Sequence, residues 1–200
     1  MRAKDLMTTP VVTVRPDTPA KEAARLLASR GFTALPVVDD DDTVLGIVTE
    51  ADLIDGQILP DPRSLIGDDP PPPSSEPRAH RVADAMTSDP VVVASTTDAV
   101  EVARVMLERH LRTLPVVDDG RLAGIVTRRD LLRTIARHDR DIAQDVRHRL
   151  AIACRGSWNV DVTDGVVTLS TDRADASERH VAQVVAAALP GVLGVHLAVT

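Results

Sequence analysis

One stretch of this 200-residue chain is written twice. Leu35–Ile54 reads LPVVDDDDTVLGIVTEADLI, and Leu114–Leu132 reads LPVVDDGRLAGIVTRRDLL. Each copy has an apolar run, an acidic turn, a second apolar run ending in Gly-Ile-Val-Thr, and an Asp three residues after that Thr. The likeness extends upstream: Thr18–Val38 and Thr97–Val117 align without a gap, with 10 of 21 positions identical. Met86 answers Met7, and Pro90 answers Pro10. A repeat of this length and order points to an internal duplication, in which one supersecondary unit is built two times.

Periodicity supplies the unit. After a short helical or turn segment, Pro10 opens a strand at Val11–Val14, since it cannot donate a ladder hydrogen bond and suits a strand start. Thr18 is a plausible N-cap with Pro19 at the first helical position. Ala20, Ala23, Ala24, Leu27 and Ala28 recur at helical spacing to about Ser29, and Gly31 ends the helix. Leu35–Val38 and Val44–Val48 read as strands around the turn Asp39–Asp42, and a helix starts after Thr49. The unit is β-α-β-β-α, and the second copy repeats it, with Val91–Val93 answering the first strand. Between the copies, residues 60–79 hold seven of the 14 prolines and read as an exposed linker with a polyproline-II run at Pro70–Pro73.

Beyond Leu132 the pattern changes. Asp139 or Asp141 starts a helix with Ile142, Val146 and Leu150 on one face. Asn159–Ser170 has alternating valines around Asp164-Gly165, a strong hairpin signal. Ser177 caps a helix through Val181, Val184, Val185, Ala188 and Leu189, Pro190-Gly191 stops it, and Val192–Val199 is a last strand. This tail is αββαβ, with its own small core. The expected fold class is therefore α/β (α+β): two β-α-β-β-α units plus a small αββαβ domain. The expected boundaries are 1–59, the linker 60–79, 80–136 and 137–200.

Composition narrows the function. Phe32 and Trp158 are the only aromatics, so a ligand is gripped by aliphatic contacts, backbone groups and charges. Single-stranded nucleic acid wants stacking platforms, and the net charge of −7 lacks the basic footprint of a nucleic-acid binder. The single cysteine, Cys154, excludes an internal disulfide and a multi-cysteine zinc site, and reads as a small residue near a helix end. The first residues, MRAKDLMTTP, have no apolar signal core, and no run approaches the about 18 apolar residues of a spanning helix. A cytoplasmic protein is expected. The six histidines form no metal-ligand set, and there is no P-loop, Gly-x-Gly-x-x-Gly or nucleophile elbow, so an enzyme is not expected.

The chemistry concentrates at Thr49-Glu50-Ala51-Asp52 and Thr127-Arg128-Arg129-Asp130. Each can be a capping box and nothing more: the Thr hydroxyl accepts a helix-start N–H, and the acid three residues on reaches back. The same group can also serve a ligand, with Thr meeting a phosphate at the helix start and Asp accepting the vicinal hydroxyls of a ribose. Both readings stand on these residues alone.

Two units with Leu-Pro-Val-Val-Asp followed by Gly-apolar-apolar-Thr-x-x-Asp resemble the tandem CBS-domain pair, or Bateman module, over residues 1–135. The resemblance implies a regulatory module whose halves pack about a pseudo-twofold axis, with clefts that bind AMP, ADP, ATP or another adenosyl ligand, AMP or ATP foremost, and no covalent cofactor. It makes Asp52 and Asp130 ribose acceptors and sets Thr49 and Thr127 on ribose or phosphate. It puts adenine against Thr9, Val11, Val12, Pro90, Val91 and Val92. Gly31–Pro36 and Leu111–Pro115, including Thr33, Leu35, Pro36, Leu114 and Pro115, are expected to line the clefts. Arg112 is the expected phosphate cation, with His110 nearby. Its counterpart in copy one is Thr33, so the sites are expected to be inequivalent. A homodimer is also implied.

The tail resembles the BON domain, through Asp164-Gly165-Val166-Val167-Thr168-Leu169-Ser170 and Pro190-Gly191-Val192-Leu193-Gly194-Val195. It departs at Thr171, where that family usually has Gly. This resemblance implies contact with a protein partner or dimerisation, with peripheral lipid contact as the alternative. Arg128, Arg129, Arg133, Arg137, Arg140, Arg147 and Arg149 form a basic band offset by Asp130, Asp139, Asp141 and Asp145, and read as a charged helix surface. The leading function is an adenine-nucleotide sensor that relays binding to the tail. The alternative is a ligand-free interaction scaffold in which Thr and Asp only cap helices.

Overall fold

The copies of the repeat do not each complete their own core. In a computed structural model describing residues 1–55, 79–172 and 174–198, the segment leading into each repeat crosses to the other one. Helix α1 (Ala3–Leu6) lays Ala3 and Leu6 into the core of the second repeat, beside Val102, Met106, Leu114 and Val126. Its backbone follows: Ala3 N–H donates to Thr97 O at 2.8 Å, Lys4 N–H to Ser95 O at 3.0 Å, and Thr8 N–H to Ile125 O at 2.8 Å. Reciprocally, α4 (Val82–Ala85) lays Val82 against Val14, Ala23, Leu27, Val37 and Val48 of the first repeat. The expected boundary between units divides the sequence, but the packing crosses it twice.

In the first repeat, α2 (Ala20–Arg30) covers the hairpin of β1 (Ala34–Val38) and β2 (Val44–Thr49), and α3 (Glu50–Ile54) follows. Strand β3 (Thr87–Ser88) comes from the other copy and pairs antiparallel with β2. The second repeat has β4 (Val93–Ala94), α5 (Ala99–Glu108), β5 (Thr113–Asp118), β6 (Arg121–Thr127) and α6 (Arg128–Ile135), in sheet order β4-β5-β6. Gly31 takes φ 64 at the end of α2 and donates its N–H to Leu27 O.

Three local expectations are corrected here. The strand at Val11–Val14 shrinks to one parallel bridge, Val14 to Val37, and Val91–Val93 to the two-residue β4. The partner strands contain Pro36 and Pro115, which have no N–H to give the carbonyls of residues 12 and 91, so neither parallel ladder extends backwards. Thr18 is not the N-cap of α2. Pro19 holds that position, and the Thr18 hydroxyl accepts the Arg15 N–H at 2.9 Å inside the preceding turn.

The tail is α7 (Asp139–Ala153), β7 (Asn159–Thr163), β8 (Val166–Ser170), α8 (Ala176–Ala187) and β9 (Gly194–Leu197). Strands β7 and β8 form the expected hairpin, and β9 is shorter than expected and pairs parallel with β8. Asp164 and Gly165 both have positive φ, 49 and 75, as a two-residue hairpin turn requires. Asp139 does not cap α7; His138 occupies the N-cap, and the Asp139 carboxylate instead accepts the Asp164 and Gly165 N–H groups at 2.8 and 2.9 Å. Ser177 yields its expected capping role to Asp175, which accepts the Glu178 N–H at 2.8 Å.

A third core, built on Ile142, Val146, Leu150, Val160, Val167 and Leu169, belongs to the tail alone. Cys154 closes α7 at its edge, where burial pushes the thiol pKa up and the Glu178 carboxylate adds to the shift. The expected linker at 60–79 lies outside the described residues, apart from Ala79. No helix of the described residues is long and apolar enough to cross a membrane.

Candidate ligand clefts

Strand β2 delivers Thr49 to the start of α3, and β6 delivers Thr127 to the start of α6. Both positions close as capping boxes. The Thr49 N–H and hydroxyl each donate to Asp52 Oδ2 at 2.8 Å, and the Asp52 N–H returns to Thr49 Oγ1 at 3.3 Å. The Thr127 N–H and hydroxyl donate to Asp130 Oδ2 at 2.8 and 2.6 Å. One carboxylate oxygen of each Asp is therefore spent on its own helix. The other oxygens differ. Asp52 Oδ1 has no hydrogen-bond partner among the described residues, whereas Asp130 Oδ1 accepts Arg133 Nη1 at 3.2 Å.

The crossed segments bring each box against the opposite repeat. A cleft of about 460 Å³ contains Thr33, Thr49, Asp52, Pro90, Val91 and Arg112, together with Glu50, Asp89 and His110. A second, of about 430 Å³, contains Thr127, Asp130, Thr33 and Arg112, together with Thr8, Arg30, Phe32, Arg129 and Arg133. Thr33 and Thr113 sit between them, their hydroxyl oxygens 3.4 Å apart.

Several expected cleft residues are elsewhere. Leu35 and Leu114 are 1% and 0% exposed in the two cores, and Pro36 and Pro115 are buried in β1 and β5, so none offers a ligand surface. Thr33 and Ala34, at the entrance to β1, line the clefts instead. Thr9, Val11, Val12 and Val92 line neither cleft; Val12 packs against the first core, and Thr8 takes the wall position beside Ile125.

The contrast of Arg112 with Thr33 does not separate the clefts, because both residues line both of them. Arg30 was not singled out from the sequence. Its signal is a cation in the last turn of α2, just before Gly31. Arg128 also lines the second cleft, but its guanidinium holds the end of α5, donating to Leu111 O at 2.8 Å and Met106 O at 3.0 Å.

A larger depression, about 680 Å³, lies on the tail between Arg155–Asn159 and Ser170–Asp172. There the Arg155 and Gly156 N–H groups are already spent on Glu178 Oε1 at 2.8 and 3.0 Å. The described residues contain no group of three or more His, Cys, Asp or Glu arranged to hold a metal ion.

The CBS domain family matches this chain at residues 3–58 and again at 82–137. The chain belongs to the CBS-domain family. The matched residues are the two repeats that form the clefts, and they stop before the tail core. Among curated proteins the chain is similar to the chloroplastic CBS domain-containing protein CBSX2 of Arabidopsis thaliana, 35% identical over 142 residues. That match covers 60% of this chain and 56% of CBSX2, so the chain spans little more than half the length of that relative.

Among solved structures it is similar to CBSX2 in complex with AMP, with 36% identity and a TM-score of 0.54, covering 66% of this chain and 93% of that one. It is also similar to the CBS domain pair of protein MJ0100 in complex with 5-methylthioadenosine and S-adenosyl-L-methionine. There the identity is 25% and the TM-score 0.52, with 66% of this chain and 94% of that one covered. The mixed α/β architecture of this CBS pair is the expected one.

Proposed function

We propose that this CBS pair is a regulatory, non-catalytic sensor that binds adenosyl ligands in its two clefts. The observation that carries the reading is the half-used carboxylate. Asp52 and Asp130 are each fixed by a capping box through Oδ2, so that the vicinal hydroxyls of a ribose would meet Oδ1, which has no partner among the described residues on Asp52 and is held by Arg133 on Asp130. Thr49 and Thr127 lie beside the ribose and first phosphate, Arg112 offers a cation to both clefts, and Pro90-Val91 and Thr8 supply walls for the base. CBSX2 with AMP, and MJ0100 with adenosyl compounds, support an adenosyl group as the common element. Fold alone would not carry this step.

A thermal-shift series with AMP, ADP, ATP and S-adenosylmethionine tests it. A ligand at about 100 times its Kd stabilises by about 2.7 kcal/mol. The shift is expected to vanish in the Asp52→Ala/Asp130→Ala double variant. A shift that survives both substitutions, or no shift with any of these ligands, refutes the reading. The second result favours the ligand-free scaffold, which has an observation of its own: the capping boxes account for Thr49, Asp52, Thr127 and Asp130 without any ligand. In that case each substitution costs only the capping energy, about 0.5–2 kcal/mol.

The output is the tail, whose αββαβ order we read as BON-like. Helix α6 links it to the second cleft. Arg137 Nη1, just beyond α6, donates to Pro190 O at 3.0 Å, and Gly191 packs against Thr134 O. Asp130 in the cleft is one turn away, its carbonyl accepting the Thr134 hydroxyl at 3.1 Å. A ligand that favours one packing of the pair shifts what the tail presents.

The protein is further proposed to be a cytoplasmic homodimer. The outer faces of α5 and α6 carry Val100, Leu107, Leu132 and Ile135, each more than half exposed, and a second copy covers them. Light scattering is expected to give twice the 21.4 kDa chain mass, and a monomer mass across a concentration series rejects the dimer.

A further inference from the structure

The repeat that built two similar clefts has diverged in charge at the clefts themselves. Among the described residues, the second cleft gathers five arginines, Arg30, Arg112, Arg128, Arg129 and Arg133, around one carboxylate, Asp130. Among the described residues, the first holds one arginine, Arg112, with His110, against three carboxylates, Glu50, Asp52 and Asp89. The change falls at aligned positions: Glu50 answers Arg128, Ala51 answers Arg129, and Asp89 answers Thr9. Duplicated apolar positions kept their character through the same alignment, while these reversed or lost their charge.

The cations of the second cleft also differ in availability. Arg128 is committed to the end of α5. Arg30, Arg112 and Arg129 are exposed, and their guanidinium groups have no hydrogen bond or ion pair among the described residues. Among the described residues the Arg133 guanidinium is held only by Asp130 Oδ1, at 3.2 Å, and it keeps most of its side chain in solvent. A ribose hydroxyl arriving at that oxygen replaces Arg133 and leaves its guanidinium for an anion. Guanidinium groups pair with phosphate oxygens through forked hydrogen bonds, so three or four around one cavity suit a chain of phosphates. In the first cleft the same phosphates would lie among like charges, which disfavours them.

We infer that the two clefts sort adenosyl ligands by charge, the second taking a nucleoside di- or triphosphate and the first an uncharged or cationic adenosyl compound. The inference rests on the adenosyl reading of the clefts and adds the division of labour between them. Both arms use an adenosyl group for the ribose contact and differ only in what is attached to the 5′ carbon.

Isothermal titration of the 200-residue chain with ATP and with S-adenosylmethionine, the latter bearing a sulfonium, separates the arms. ATP is expected to fill one site. Its affinity should fall at least tenfold in Arg30→Ala/Arg129→Ala, exposed positions whose loss leaves the cores intact, and stay within twofold in Asp52→Ala. S-adenosylmethionine should show the opposite pattern. Its binding should be lost in Asp52→Ala and kept in the arginine variant, and Glu50→Gln/Asp89→Asn should weaken it.

ATP filling both sites with equal affinity, or losing no affinity in the arginine variant, overturns the charge sorting while the adenosyl reading stands. If neither ligand binds the unmodified protein, the adenosyl reading and this inference fail together.

Discussion

Deleting residues 2–8 unfolds the second repeat first, although those residues precede the first repeat in sequence. The deletion removes Ala3 and Leu6, 0% and 8% exposed, from the core around Val102, Met106, Leu114 and Val126. A buried Leu alone is worth about 2–5 kcal/mol when truncated to Ala. The deletion also strips partners from Ser95 O, Thr97 O and both backbone groups of Ile125. Each buried group left unpaired costs about 1–3 kcal/mol. Together these losses rival the whole stability of a small domain, about 5–15 kcal/mol. Hydrogen exchange read by mass spectrometry is the measurement. Protection should collapse in α5, β5 and β6 and persist in α2, β1 and β2. Loss confined to the first repeat, as contiguous units would give, refutes the exchanged packing.

Gly124→Ala is expected to cost about 1–3 kcal/mol by overpacking, and Met7→Gly in the same chain to recover much of it. A Cβ on Gly124 would overlap Met7, meeting its Sδ, and its Cγ and Cβ at 2.7 and 2.9 Å. All three atoms belong to one side chain on the crossed segment, so Met7→Gly, which removes the Cβ as well, clears the space. Gly46→Ala is the contrasting case. There the new Cβ meets Met86 Sδ at 2.7 Å but also the Thr87 carbonyl oxygen at 3.0 Å, which is backbone of β3 paired to β2. Met86→Gly should therefore rescue Gly46→Ala less than Met7→Gly rescues Gly124→Ala, because it leaves the Thr87 contact in place. Urea denaturation of the two double-mutant cycles reads the difference as unequal coupling energies. Strictly additive single effects contradict the crossing at these glycines, and equal rescue contradicts the additional Thr87 contact at Gly46.

The glycines show where reading the chain as a sequence succeeds and where it stops. Gly46 and Gly124 are conspicuous in both copies of Gly-Ile-Val-Thr, and Met7 and Met86 match each other across the copies. That each Met lies on the Gly of the other copy is written in neither motif. The same holds for the site. The Thr-x-x-Asp boxes were legible because a cap is made by residues three apart. Arg30 was missed because its place beside Asp130 depends on how α2 of one repeat meets α6 of the other. Leu35 and Leu114 were drawn to the clefts by their nearness to Thr33 and Arg112, yet they lie inside β1 and β5, which are buried on both faces, whereas Thr33 and Arg112 precede those strands. Arg112 was assigned to a single site, and the pseudo-twofold arrangement sets it on both.

What the amino-acid order determined by itself is everything closed by short-range bonds and periodicity. That includes the duplication, the β-α-β-β-α unit, the capped starts of α3 and α6, the Asp164-Gly165 hairpin and the helix stop at Gly31. These depend on partners a few residues away, whose geometry the chain cannot avoid. Only the tertiary structure decided which repeat each leading segment completes, why the parallel ladders stop at Pro36 and Pro115, and which charges share a cleft. Those outcomes rest on contacts between segments far apart in sequence, where many pairings satisfy the same local pattern and only the packed core selects one.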